Sequence, residues 1–281
     1  MGTIITLTTD LGLTDAYVAA MKGVILSINS EAKLIDICHN IKPQNISQAA
    51  FVLGTAYQFF PPKTIHLVVV DPGVGTERRA IVLRTPLADF VSPDNGVLSY
   101  VIQPFSHQPT ADNINQQQIE LAPELEAVAI TKPQFWRSPV SPTFHGRDIF
   151  APVAAQLSLG FPLTDFGDII NSVTVLPLPY PHWTPDGKLV GHILHIDSFG
   201  NLITDIKSDD LSQTGQSITI EVGNQLITGL SRTYAEGKGL LALVGSSGHL
   251  EISLKDGSAC ARLDAEVGDE VRISQQPGGN P

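Results

Sequence analysis

The chain has 281 residues, room for about two domains at roughly 150 residues each, and its 17 Lys and Arg against 28 Asp and Glu give a formal charge of −11. So acidic a chain, with no basic cluster, is not built to hold nucleic acid by its phosphates; at 42% hydrophobic and 16% charged it is too apolar for disorder. No run of about 18 apolar residues predicts a membrane helix, and Cys38 and Cys260, far apart and outside any CxxC, exclude a disulfide framework and a thiolate zinc site.

In chain order, MGTIITLTTDLG lacks a basic start and reaches an acid at position 10, so no signal peptide is expected and the cytoplasm is the expected location. Ile4 to Thr8 reads as a strand ending in the turn Thr9-Asp10-Leu11-Gly12. A helix follows over Asp15 to Ile28, with Val18, Met21, Ile25 and Ile28 on one face. Leu34 to Cys38 is a second strand, and Ile46 to Phe59 a second helix stopped by Pro61-Pro62. TIHLVVV, residues 64–70, is the β-branched run of a central parallel strand buried on both faces. Ala80 to Leu83 and Ala127 to Thr131 add strands, and Phe144 to Leu159 a helix closed by Gly160. Residues 106–123 read as a polar surface excursion. This βαβ rhythm predicts a layered α/β domain with a mostly parallel sheet over 1–177.

Pro177, Pro179, Pro181 and Pro185 mark a stiff connector at 178–187. Beyond it short strands with turn signals replace helices, at 188–196, 217–222, 240–244, 250–254 and 269–274. Residues 188–281 therefore read as a small all-β barrel or sandwich.

In open α/β sheets ligands bind beyond the carboxyl ends of the strands. Asp10 and Asp15 follow the first strand, Asp71-Pro-Gly-Val-Gly the central one and Ser92-Pro-Asp-Asn-Gly96 a later one, while Phe144-His145-Gly146-Arg147-Asp148 opens a helix. Each has a structural alternative: a helix N-cap for Asp15, turn chemistry for 92–96, an ordinary ion pair for Arg147 and Asp148. Gly73-Val74-Gly75 lacks the third glycine of a dinucleotide fingerprint and the lysine of a P-loop. His192 and His195 point to opposite faces of a strand and make no metal pair. In the second domain, residues 195–201 and 245–248 are either hairpin loops or a ligand lid.

Together TTDLGLTDAYVAAMKG, DICHNIKPQNISQAAFVL, VVVDPGVGTERRAI, SPDNGVLS, TFHGRDIFAPVAA, HIDSFGNLITDI and GSSGHLEIS resemble the S-adenosyl-L-methionine (SAM) hydroxide adenosyltransferases, or SAM hydrolases, relatives of the SAM-dependent fluorinases and chlorinases. The resemblance spans nearly the whole chain. It implies an N-terminal α/β domain, a C-terminal β-barrel and a homotrimer whose sites lie between subunits. It implies a hydrolytic set of Asp71, Arg78 and His145, with Asp10 gripping the ribose hydroxyls. Phe199 and Asn201 match adenine contacts, Asp15 and Asp197 residues near the methionine ammonium, and Ser246 and Ser247 the loop near its carboxylate. This chain has Ser247 where the fluorinase has arginine, and Gln44 where it has a tryptophan against the ribose.

SAM is a sulfonium, so its 5′ carbon is already activated; neither a metal nor any other cofactor is expected. What the protein must supply is a water in line with the carbon–sulfur bond. Arg78 beside Asp71 would keep that carboxylate ionised and suit it to positioning, which leaves His145 as the candidate proton acceptor. The expected products are adenosine and L-methionine. A halogenase is the nearest alternative, but halogenases have a tyrosine at the position of Asp71, and a fixed carboxylate repels halide. A non-catalytic SAM or adenosine sensor would need no Asp-Arg-His set, and a metal-assisted phosphate enzyme would need cationic clamps that are missing here.

Overall fold

The computed structural model describes residues 2–106, 117–212 and 218–275. Most of the polar excursion, at 107–116, thus lies outside the described residues. The chain divides into two compact units, Met1–Pro177 and Leu178–Pro281.

The first unit runs β1 (Ile4–Thr9), α1 (Tyr17–Ile28), β2 (Lys33–Cys38), α2 (Ile46–Ala56), β3 (Thr64–Val69), β4 (Ala80–Arg84), β5 (Ala88–Pro93), α3 (Ser99–Ile102), β6 (Gln117–Glu120), β7 (Glu126–Ile130), α4 (Ala151–Ser158), β8 (Gly167–Ile170) and β9 (Ser172–Val175). Seven strands form one sheet in the order β2-β1-β3-β5-β4-β7-β8, and β6 pairs with β9 apart from it. The first four are parallel neighbours; β5, β4, β7 and β8 pair antiparallel. The sheet is therefore mixed, not mostly parallel as the apolar pattern suggested. Apolar runs carry no direction, and the three residues between β4 and β5 form a tight turn, Thr85 N–H to Ala88 O at 2.9 Å, too short for a parallel crossover.

Every residue of β3 is buried. Ile65, Leu67 and Val69 pack with Ile5 and Leu7 of β1 and with Met21 and Ala154 of the helices on one side. Val68 and Val70 pack with Leu53 of α2 on the other. Besides Thr64 at its start, this strand carries one polar side chain: His66, fully buried, places Nδ1 2.7 Å from Thr6 Oγ1 and stacks on Phe90 at 5.0 Å. Burial lowers its pKa to about 4. Asn45 caps α2 by accepting the Gln48 N–H at 2.9 Å. The cap position of α1 is Ala16, with no side-chain bond, so Asp15 is not a cap.

The second unit contains β10 (His182–Trp183), β11 (Leu189–Ile196), β12 (Leu202–Lys207), α5 (Ser208–Leu211), β13 (Ile218–Val222), β14 (Gln225–Thr228), β15 (Leu240–Val244), β16 (His249–Leu254), α6 (Ala259–Leu263) and β17 (Glu270–Gln275). Its strands pair antiparallel in the order β14-β13-β17-β11-β12-β16-β15, with β10 added on β11. Just past β14 the Ser231 N–H reaches Ala242 O of β15 at 2.8 Å. The sheet is thus nearly closed and barrel-like, around Ile193, Leu202, Ile220, Leu250, Ile252 and Val271. It is not purely β, since α5 and α6 add short helical turns. The proline-rich connector ends in a hairpin: His182 and Trp183 pair with Val190 and Leu189 across a turn closed by Thr184 N–H to Lys188 O. Among the described residues no helix is long and apolar enough to cross a membrane.

Candidate active site

β1 lies between β2 and β3, so the chain winds one way from β1 and the other way into β3. The gap beyond their carboxyl ends is a topological switch point. Asp10 and Asp71 leave these two strands there, brought level by the register Thr9↔Val69. Asp10 Oδ2 accepts the backbone N–H of Gln44 at 2.8 Å. Gln44 holds a left-handed φ of 65° to deliver that bond, a local strain of the kind found at ligand sites. Asp15 is exposed on the loop before α1 and, among the described residues, bonds to none of these groups.

Asp71, Arg78 and His145, far apart in sequence, meet. Arg78 Nε lies 2.8 and 3.0 Å from the two oxygens of Asp71, and its Nη2 also bonds Oδ2. The same Nη2 is 2.9 Å from His145 Nδ1. Both members of the ion pair are largely buried, and the guanidinium lies over the Phe150 ring at 5.2 Å. The DPGVG loop bends around Arg78 at Gly75, where φ is +77° and a Cβ would stand 2.5 Å from Pro142 O.

Guanidinium only donates, so His145 Nδ1 must be the acceptor and the ring proton sits on Nε2. Burial first, and then the Arg78 charge, hold the His145 pKa below its ordinary value, against the pull of Asp71 and Asp148. With Nδ1 accepting from Arg78, the ring nitrogen without that bond is Nε2, which carries the proton.

The turn carrying His145 has a definite cause. Pro152 has no N–H for the Asp148 carbonyl, which instead accepts from Arg137 N–H at 2.8 Å. Residues Gly146–Phe150 widen into a π-turn ahead of α4, replacing the continuous helix expected from 144. The Asp148 carboxylate, fully buried, takes Arg147 Nε at 2.7 Å, Arg147 Nη2 at 2.8 Å and Ser141 N–H at 2.9 Å. For Arg147 and Asp148 the plain ion-pair reading is the one observed. A Cβ on Gly146 would meet Val69, Phe144 and Met21 at 3.1–3.3 Å, which is how closely this turn seats on β3.

Two further residues support the strand ends: Asn95, within the Ser92–Gly96 stretch marked in the sequence, and His39, which was not marked. Asn95 Nδ2 donates to Val70 O at 2.9 Å, fixing the peptide before Asp71. Buried His39 places Nδ1 2.8 Å from Thr9 Oγ1, and its carbonyl accepts Gly12 N–H, framing Asp10. The signal was present in both cases, a polar residue just past a strand at the same sheet edge.

In the second unit, Asp197 Oδ1 accepts the N–H groups of Phe199 and Asn201 at 2.8 and 2.9 Å, and Oδ2 accepts Asn201 Nδ2 at 2.9 Å. This Asx-type turn buries Asn201 and leaves Phe199 77% exposed. Asp197, Phe199, Asn201 and Ser246 line a cavity of about 690 Å³. Ser247 does not line it; its Oγ is 3.2 Å from His249 Nδ1. Tyr234 and Glu251 do line it, and neither was singled out from sequence. A glutamate between Leu250 and Ile252 in an otherwise apolar strand was the available signal.

An Asp-Arg-His group at an α/β switch point, followed by a barrel-like unit with an aromatic- and amide-lined cavity, agrees with a defined family. The chain belongs to the SAM hydroxide adenosyltransferases: the family's N-terminal domain matches residues 5–167 and its C-terminal domain residues 191–272. It is 35% identical over 271 residues to an (R)-S-adenosyl-L-methionine hydrolase of Salinispora tropica, covering 96% of this chain and 97% of that one. A fluorinase of Nocardia brasiliensis is 26% identical over 305 residues, covering 96% of each. The crystal structure of an uncharacterized conserved protein from Thermotoga maritima superposes with a TM-score of 0.84 at 36% identity, covering 97% of this chain and all of that one.

Proposed function

We propose that this protein hydrolyses SAM at the ribose 5′ carbon, giving adenosine and L-methionine. The observation that carries the reading is the Asp71–Arg78–His145 group, a fixed anion, a cation and a neutral N–H donor within one hydrogen-bonded set. Water oxygen bonds to C5′ as the carbon–sulfur pair withdraws onto sulfur; methionine leaves as a neutral thioether and one proton is released. Asp71 holds the attacking water by accepting its hydrogen bond, with Arg78 balancing the charge. His145 Nε2–H orients the water or the ribose oxygen beside it. Positioning of this kind supplies the rate because the sulfonium needs no further activation.

In the same reading Asp10 accepts from the ribose diol, Phe199 and Asn201 take the adenine by its face and its edge, Asp15 and Asp197 attract the methionine ammonium, and Ser246 and Ser247 meet its carboxylate. The reaction needs no metal or other cofactor. The protein works as a cytoplasmic homotrimer in which the first unit of one subunit faces the barrel-like second unit of its neighbour. A halogenase is disfavoured by the Asp71 anion, and the higher identity to a hydrolase than to a fluorinase supports the same choice.

Incubation with SAM in oxygen-18 water tests this. Methionine and adenosine labelled at the 5′ hydroxyl are expected. Unlabelled adenosine, or 5′-chloro-5′-deoxyadenosine as the main product in chloride buffer, would overturn hydrolysis, and absence of any product would favour a sensor.

A further inference from the structure

Glu251 is 6% exposed on β16, yet it lines the second unit's cavity. Its Oε1 accepts two neutral hydroxyls, Tyr234 at 2.7 Å and Ser253 at 2.8 Å. Among the described residues no Lys, Arg or His forms an ion pair with it. Its other oxygen, Oε2, lies over Gly245, where a Cβ would approach to 2.5 Å. A buried carboxylate supported only by hydroxyls is costly unless a cation completes it.

The rest of the wall carries the same sign. The lining includes three carboxylates, Asp197, Glu251 and Asp256, against one ammonium, Lys255, and Lys255 Nζ is turned to the Ala235 carbonyl at 3.3 Å. Asp197 spends both oxygens on its own turn and Asp256 is exposed to solvent, which leaves Glu251 as the buried carboxylate with an oxygen to offer. Tyr234 cannot supply the balance: burial, the bond to Glu251 and the nearby carboxylates push its pKa up to about 12, so it remains a neutral donor.

We propose that Glu251 is a specificity-determining residue that recognises the cationic part of the substrate, so that this cavity holds positively charged SAM in preference to neutral adenosine. The inference rests on the hydrolase reading for the identity of the ligand. It gives the site a discrimination hydrolysis requires: cleavage removes the sulfonium and separates the ammonium from the nucleoside, so the charge that Glu251 attracts is gone from the adenosine that must leave.

Calorimetric titration with two probes that carry the same nucleoside tests it. Sinefungin bears ammonium groups and is not cleaved; 5′-methylthioadenosine is neutral. Glu251→Gln is expected to weaken sinefungin about tenfold or more and to leave 5′-methylthioadenosine within about twofold. Equal losses for both probes would mean that Glu251 reads the adenine, and no loss for either that it reads nothing; each overturns the proposal. Lys255→Gln, at an exposed position, covers the case in which Glu251→Gln fails to fold. It removes the opposing cation and should tighten sinefungin alone, about twofold; unchanged sinefungin affinity would count against the proposal. Oxygen-18 labelling of the unaltered protein reads the reaction separately. Wild type that favours sinefungin but releases no labelled adenosine would sink hydrolysis and leave the role of Glu251 standing.

Discussion

Arg78 serves two partners at once, Asp71 through a forked pair and His145 through one further N–H, so a change at either partner is felt through the guanidinium. Asp71→Asn keeps the shape, removes the charge and leaves Arg78 a partly buried cation without its anion. SAM affinity measured by calorimetry should stay near wild type while turnover falls about a hundredfold; full activity would remove Asp71 from the reaction. Asp10→Ala should act the other way, raising KM first, because a ribose grip exists in the ground state as well. His145 carries a pH signature. Protonation at Nδ1 ends the bond from Arg78, so kcat should fall on the acid side, with a midpoint below the ordinary imidazole value of about 6.5. In His145→Ala that acid limb should vanish and alkaline buffer should not restore the rate, whereas alkaline rescue would reinstate His145 as a base.

Along β3 the same histidine chemistry becomes a matter of stability. The folded pKa of His66 is about 4, below its value in the unfolded chain, so the folded state binds the proton less well. Its contribution is whole above about pH 6.5, declines as pH falls through that range and is gone below about pH 4, a loss of about 3 kcal/mol. Urea unfolding of wild type and His66→Phe across pH 7 to 4 should show the wild-type advantage shrinking by about that amount; parallel curves would contradict it. The elements themselves were readable to different depths. The run TIHLVVV declared a strand buried on both faces because both faces are covered, and the helix at 46 declared its limit through Pro61-Pro62. The antiparallel half of the sheet was not readable, since apolar alternation has no direction. The strand β12 was hidden behind the polar turn of residues 197–201. The π-turn before α4 was hidden too: Pro152 stands in the sequence, but the Arg137 N–H that takes up the freed Asp148 carbonyl comes from eleven residues upstream. In the site, residues ending strands were legible from position alone. Tyr234 lies in a loop with no pattern of its own, and the cavity that gives it meaning is made by tertiary packing.

For the whole molecule, the proposed trimer makes each site the joint property of two chains, and that can be tested without imaging the assembly. Asp71→Asn disables a first-unit half and Asn201→Ala a second-unit half. Co-expressed, they should form mixed trimers in which about a quarter of the sites pair two intact halves, so activity should return although each variant alone is poor. Additive residual rates, or an active monomer in light scattering, would refute shared sites. The near-closure of the second unit's sheet has its own consequence. Where β11 and β12 are zipped by ladder bonds, the segment just past β14 is tied to β15 by the Ser231–Ala242 bond, and Tyr234 and Ala235 of the cavity wall follow directly on that seam. Amide hydrogens along the seam should therefore exchange with deuterated solvent sooner than those of β11 and β12, and a bound nucleoside that bridges Asn201 to Tyr234 should slow them selectively, acting as the missing stitch between the two edges.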